Sequence, residues 1–277
     1  MCRHLAYLGP AVSLATVLID PPHGLYRQSW APRMQKHGTV NADGFGIGWY
    51  APGDPMPARY RRSVPMWSDP SVLDLARVTR SLAVLAAVRC ATTGTAGGEA
   101  AAAPFSSGPW LFSHNGAIDG WPQAADKLPV RAADLLSMEA LVDSAFLWAM
   151  VAERLRAGAA PGAALAATIG AVEAAGVTGR FNFLLADGRS IAATTCGDSL
   201  WYRADGQSVT VASEPDDEGA SWTPVPERHV LTATLSDLDI RPLPALGSGS
   251  AGPRVIPPGS RVLPRGNTDA TEGIPIR

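Results

Sequence analysis

The feature that most constrains this chain is a change in the period of its apolar residues. Between Asp134 and Arg156 they recur at helical spacing (Leu135, Met138, Leu141, Val142, Ala145, Leu147, Trp148, Val151, Leu155), which predicts a long helix. Pro161 opens a second, alanine-rich helix to about Ala175, with Gly176 just past its end. Beyond that point the period falls to two. Phe181–Leu185, Ile191–Thr195, Ser199–Arg203 and Ser208–Ala212 read as strands, joined at Asp187-Gly188 and Asp205-Gly206, dipeptides that favour tight hairpins. Upstream, Leu5–Leu8, Gly44–Tyr50, Leu82–Cys90 and Trp110–His114 read as strands, with a short amphipathic helix over Val72–Arg80. Asn115-Gly116 reads as the turn that stops the last of these strands. Strands, two helices and then an antiparallel meander predict a layered α+β fold, with helices covering sheet faces.

Composition narrows the function classes. The chain has 277 residues, 46% of them hydrophobic, enough for one large domain or two small ones. Arg241–Arg277 is rich in Pro, Gly and Ser and shows no period, so the division expected is a domain over 2–240 and a tail over 241–277. A formal charge of −2 without a basic cluster argues against a nucleic-acid partner. No apolar run approaches the roughly 18–20 residues of a membrane helix. The first twenty residues lack a basic stretch leading into an apolar one, so a cytoplasmic protein is expected. Three cysteines (Cys2, Cys90, Cys196) are too few for a disulfide framework and match no zinc spacing, and the five histidines are scattered. Neither a metal nor a cofactor is expected. A homo-oligomer is compatible with the sequence.

Several residues could carry chemistry. Removal of Met1 would leave Cys2 with a thiol and a free α-amine, whose ordinary pKa near 8 suits it to accept the thiol proton. Arg89, at the end of a predicted strand, presents a planar guanidinium suited to a carboxylate, and Thr92 and Thr93 could add hydroxyl donors; a surface ion pair is the plainer reading of the arginine. Asn115 and Gly116 offer an amide side chain and a backbone N–H as a two-donor oxyanion hole; alone, they are an ordinary Asn-Gly turn. His114 reads equally well as a packed strand residue. Asp143, among apolar neighbours, needs a partner that either a substrate ammonium or a structural arginine would supply. Asp43, in Asn41-Ala-Asp-Gly44, suits a cap or a hydrogen bond to the N-terminal strand. In Gly44-Phe-Gly-Ile-Gly-Trp-Tyr50, glycines inside a strand mark a close approach of ligand or backbone.

Taken in order, Met1-Cys-Arg-His-Leu-Ala-Tyr-Leu-Gly9, Asn41-Ala-Asp-Gly-Phe-Gly-Ile-Gly-Trp-Tyr50, Val88-Arg-Cys-Ala-Thr92, Phe112-Ser-His-Asn-Gly116 and Ala212-Ser-Glu-Pro215 resemble the class II glutamine amidotransferases. The resemblance covers roughly residues 2–235 and is greatest to a stand-alone branch that hydrolyses γ-glutamyl-hercynylcysteine sulfoxide in ergothioneine biosynthesis. It implies a four-layer αββα sandwich of the N-terminal nucleophile hydrolase kind. It also implies Cys2 as nucleophile, Asn115 and Gly116 as oxyanion hole, Arg89 and Thr92 on the glutamyl carboxylate and Asp143 on the glutamyl amine. The implied partner is a small γ-glutamyl compound, with a glutaminase subunit or a hydrolase of a glutathione-like peptide as the alternatives. Cys90-Ala-Thr-Thr93 departs from the family, where an aromatic residue and a histidine are common. A trimethylammonium on the leaving group would suit an aromatic face, for which Trp30 and Trp49 are candidates.

Overall fold

A computed structural model describes residues 2–91 and 97–244. Its strands are β1 (Arg3–Ser13), β2 (Phe45–Tyr50), β3 (Pro57–Arg62), β4 (Arg80–Val88), β5 (Phe105–Ser107), β6 (Trp110–Ile118), β7 (Gly179–Ala186), β8 (Ile191–Thr195), β9 (Trp201–Ala204), β10 (Val209–Ala212), β11 (Thr223–Pro224), β12 (His229–Ala233) and β13 (Leu238–Pro242). The helices are α1 (Leu14–Leu18), α2 (Leu25–Gln28), α3 (Ser71–Val78), α4 (Ala132–Leu135), α5 (Asp143–Arg156) and α6 (Pro161–Ala174). One sheet has the strand order β11-β9-β10-β1-β4-β2-β3 and the other β13-β12-β8-β7-β6-β5.

The period of two sorts the side chains into three apolar layers. On β1, Leu5 and Tyr7 join Val84, Ala86 and Val88 of β4 beneath Leu14, Val17, Leu18, Leu25 and Val72 of α1–α3. Their neighbours Ala6, Leu8, Ala83 and Leu85 face the other way, meeting Leu111, Leu184, Ala186, Ala193 and Leu231 of the second sheet. The far face of that sheet, with Phe112, Phe181, Phe183 and Leu185, is covered by Phe146, Leu147, Val151 and Leu165 of α5 and α6. Helices, sheet, sheet and helices form the four-layer αββα sandwich.

The glycines of β2 allow this stacking. Gly46 faces Ala103, whose carbonyl oxygen would lie 2.3 Å from an added Cβ, and a Cβ on Gly48 would meet Leu111 at 2.6 Å. The close approach predicted from the glycine alternation is made by backbone at Gly46 and by the Leu111 side chain at Gly48.

Three local expectations are corrected. Asn115-Gly116 is not a turn, because β6 runs on to Ile118 with Asn115 opposite Asn182 and Gly116 opposite Phe181 on β7. A long pairing partner overrides the turn preference of the dipeptide. The helix expected from Asp134 to Arg156 is divided: α4 ends at Leu135, and α5 starts at Asp143 after Val142 adopts an extended conformation. Met138 still packs on the core of the second sheet, so the apolar spacing outlasts the helix, while Leu136 and Leu141 are exposed. Strand β13 extends to Pro242, and Leu243 is buried against the helix-covered core, so these residues belong to the sandwich and not to the expected tail. The remainder of that tail, from residue 245, lies outside the described residues.

Gly46→Ala should destabilise the protein by about 1–3 kcal/mol, since the contact is with backbone that cannot rotate away. Urea denaturation measures this, and unchanged stability would show that the inter-sheet spacing can relax.

Candidate active site

The register of β1 against β4 sets Arg3 opposite Val88, so extending both strands by one residue places Cys2 beside Arg89. Cys2 and Arg89 line one cleft together with Ala101, Ala103, Phe105, Ser113, His114 and Ser144. The half-buried Cys2 thiol lies 4.0 Å from the Cys90 carbonyl. Burial pushes the thiol above its ordinary range, against the pull of the Arg89 guanidinium. Such a thiol is protonated near neutral pH and reacts only with a base to take its proton.

The Asn41–Gly44 segment fixes the strand end that carries Arg89. Asp43 N–H donates to the Arg89 carbonyl at 2.9 Å, Arg89 N–H donates to the Gly44 carbonyl at 2.8 Å, and Ala91 N–H donates to the Asp43 carboxylate at 2.8 Å. Arg89 Nη1 also reaches the Asp43 carbonyl at 3.3 Å. Asp43 is thus a clamp on residues 89–91, a positioning role, with the bonds made to the end of β4.

On β6, Asn115 shares the face of Ser113 and Leu111, turned toward the space between the sheets. It is fully buried, and neither its Nδ2 nor its Oδ1 has a hydrogen-bond partner among the described residues. Its cross-strand neighbour Asn182 is the contrast: Nδ2 donates to the Asp198 carbonyl at 2.8 Å, and Oδ1 accepts from Cys196 N–H at 2.9 Å and Asp198 N–H at 3.2 Å. Gly116 is required by packing, since a Cβ there would lie 1.9 Å from the Arg180 carbonyl oxygen.

Asp143 is buried and opens α5, where its charge complements the helix N-terminus. Its Oδ2 accepts from Ile118 N–H at 3.1 Å and its Oδ1 from Ser144 N–H at 2.7 Å, which ties α5 to the end of β6. These bonds come from backbone and not from a structural arginine. The residue of this turn that lines the Cys2 cleft is Ser144. His114 is buried, with Nε2 at 2.8 Å from the Arg180 carbonyl and Nδ1 at 3.0 Å from Ser144 Oγ. Thr92 and Thr93 lie outside the described residues. Trp30 meets Tyr26 and Trp67 edge to face, and Trp49 packs on the helix-covered side of the first sheet. Neither tryptophan lines the cleft.

Sequence reasoning gave Ala212–Pro215 no individual role. Here Ser213 Oγ accepts the His4 N–H at 3.0 Å, and the fully buried Glu214 carboxylate accepts Arg33 N–H at 2.9 Å and Met34 N–H at 2.7 Å. Glu214 pins the 33–34 segment beside the start of β1, and no local pattern could have announced it because its partners lie 180 residues away. His4, on the inter-sheet face with its Nδ1 at 3.1 Å from Ser113 Oγ, is pushed down to about 3, chiefly by burial.

This sandwich, with a cysteine at the head of its central strand, defines an amide-cleaving class of protein. The chain belongs to the class II glutamine amidotransferases, whose family model matches residues 24–217. Among its relatives, the γ-glutamyl-hercynylcysteine sulfoxide hydrolase of Mycolicibacterium smegmatis is 42% identical over 88% of this chain and 100% of that protein. The protein of the same name from Mycobacterium tuberculosis is 42% identical over 88% of this chain and 97% of that one. A solved class II glutamine amidotransferase domain protein from Silicibacter pomeroyi superposes with a TM-score of 0.62 at 25% identity, covering 88% of this chain and all of that one.

An unfolded histidine titrates near 6.5 and His4 only near 3, so between these values the unfolded state holds more protons and stability is lost as pH falls. From pH 6.5 to 5 this amounts to about 2 kcal/mol. His4→Gln should flatten the loss measured by urea denaturation at pH 7 and pH 5; an unchanged slope would place it on other groups.

Proposed function

We propose that the protein hydrolyses the γ-glutamyl amide bond of γ-glutamyl-hercynylcysteine sulfoxide, releasing glutamate. The observation that carries the reading is the fully buried amide of Asn115, without a partner among the described residues, on the face turned toward the space between the sheets, beside the cleft that holds Cys2 and Arg89. A buried donor left without a partner is costly unless a ligand supplies the acceptor. The substrate class follows from the two relatives of that name, which align along most of their length.

In this mechanism Met1 is removed and the α-amine of Cys2 takes the thiol proton. The thiolate attacks the γ-carbonyl carbon, and the negative charge that develops on the carbonyl oxygen is met by Asn115 Nδ2 and the Gly116 N–H. The C–N bond breaks as the α-ammonium of Cys2 returns the proton to the leaving amine. Water then attacks the γ-glutamyl thioester, giving glutamate and the free thiol. Arg89, held by the Asp43 clamp, takes the glutamyl carboxylate with Thr92, and Asp143 faces the glutamyl ammonium with the lone pairs its backbone bonds leave free. A site built for both charges rejects amides that lack either. The protein works on a small molecule in the cytoplasm.

Intact mass spectrometry after treatment with a glutamine-analogue diazoketone should show loss of Met1 and one adduct on Cys2. Retention of Met1 together with an unmodified chain would exclude this mechanism. Cys2→Ala should abolish turnover of γ-glutamyl-hercynylcysteine sulfoxide. Asn115→Ala should lower kcat by roughly 10²–10³ with little change in KM. Faster turnover of free glutamine or glutathione by the native protein would move the assignment to the alternatives.

A further inference from the structure

Ser144 lines the Cys2 cleft, and its hydroxyl has two acceptors for one proton. His114 Nδ1 lies at 3.0 Å and Asp143 Oδ1 at 3.3 Å. The histidine tautomer decides between them. A carbonyl oxygen only accepts, so the 2.8 Å contact of His114 Nε2 with the Arg180 carbonyl places the ring proton on Nε2. In the neutral ring Nδ1 is then a bare acceptor, and burial favours the neutral ring by pushing its pKa down. Asp143 Oδ1 already receives the Ser144 N–H at 2.7 Å. The hydroxyl proton therefore goes to His114.

That assignment leaves two oxygens, Ser144 Oγ and Asp143 Oδ1, 3.3 Å apart with no proton between them. Their lone pairs repel unless a cation with N–H donors lies across both. Resting on the function proposed above, we propose that Ser144 is a substrate-contacting specificity residue whose oxygen joins Asp143 in accepting the N–H groups of the glutamyl α-ammonium. His114 is the positioning residue that fixes which way the hydroxyl points. Stacked on Phe181 and edge-on to Phe183 in the apolar layer beneath α5, its ring is held in place, so Ser144 presents lone pairs and not a proton.

The test compares ligands with and without the ammonium. For Ser144→Ala, KM for γ-glutamyl-hercynylcysteine sulfoxide should rise roughly 10–100-fold, the range expected for a hydrogen bond to a charged group, with kcat within about twofold. Competitive inhibition by glutamate should weaken by the same factor, while inhibition by glutarate, which lacks the amine, should not change. Ser144→Thr, which keeps the hydroxyl, should restore KM to within a few-fold, and His114→Phe should raise the glutamate constant without moving that of glutarate. Equal weakening of glutamate and glutarate, or an unchanged KM in Ser144→Ala, would overturn the assignment. Absence of turnover and of a Cys2 adduct in the native protein would instead remove the parent function, so the two failures are distinct.

Discussion

The antiparallel pairing of β1 with β4 is the constraint on which the site depends. With Arg3 opposite Val88, the next residues outward are Cys2 and Arg89, one from each strand. A slip of one residue would turn every side chain of β1 to the opposite face, exchanging Ala6 and Leu8 with Leu5 and Tyr7 and removing Cys2 from the space between the sheets. The register is held by burial on both faces. The inner face carries the small residues that allow two sheets to stack, and the outer face carries the larger ones that fill the gap to α1–α3. Core packing and placement of the Cys2 thiol are therefore the same geometric requirement.

Around this pair the protein invests polar side chains in fixing backbone. Asp43 holds the end of β4, Glu214 holds residues 33–34, Ser213 receives the N–H of His4, and Asp143 joins α5 to β6. Each of the three carboxylates accepts backbone N–H groups. Glu139 combines ion pairs with a backbone bond. It pairs with Arg59 at 2.8 Å and Arg61 at 2.7 Å and accepts the Ser106 N–H at 3.3 Å, tying down the segment that brings Ala101, Ala103 and Phe105 to the cleft. Asn115 stands apart from this pattern, since its amide makes no such bond among the described residues.

The amino-acid sequence by itself determined the layered α+β class, because the periods of 3.6 and 2 are local consequences of backbone geometry. It also supplied the candidate site residues, since Cys2, Arg89 and Asn115-Gly116 stand in short motifs whose order and separation are themselves the signal. Tertiary structure decided what those residues do locally. Asn115-Gly116 carries the composition of a turn, yet pairing with β7 keeps it in a strand, and the Arg180 carbonyl 1.9 Å from a would-be Cβ is the reason for the glycine. Asp143 sits in an apolar helical pattern that began nine residues earlier, but the helix itself starts at Asp143, where the carboxylate reaches Ile118. Ser144, His114 and Glu214 had no sequence signal strong enough to assign them roles, because each acts through partners 30 to 181 residues away. Local propensity fixes elements; only the stacking of one sheet on another fixes which side chains meet.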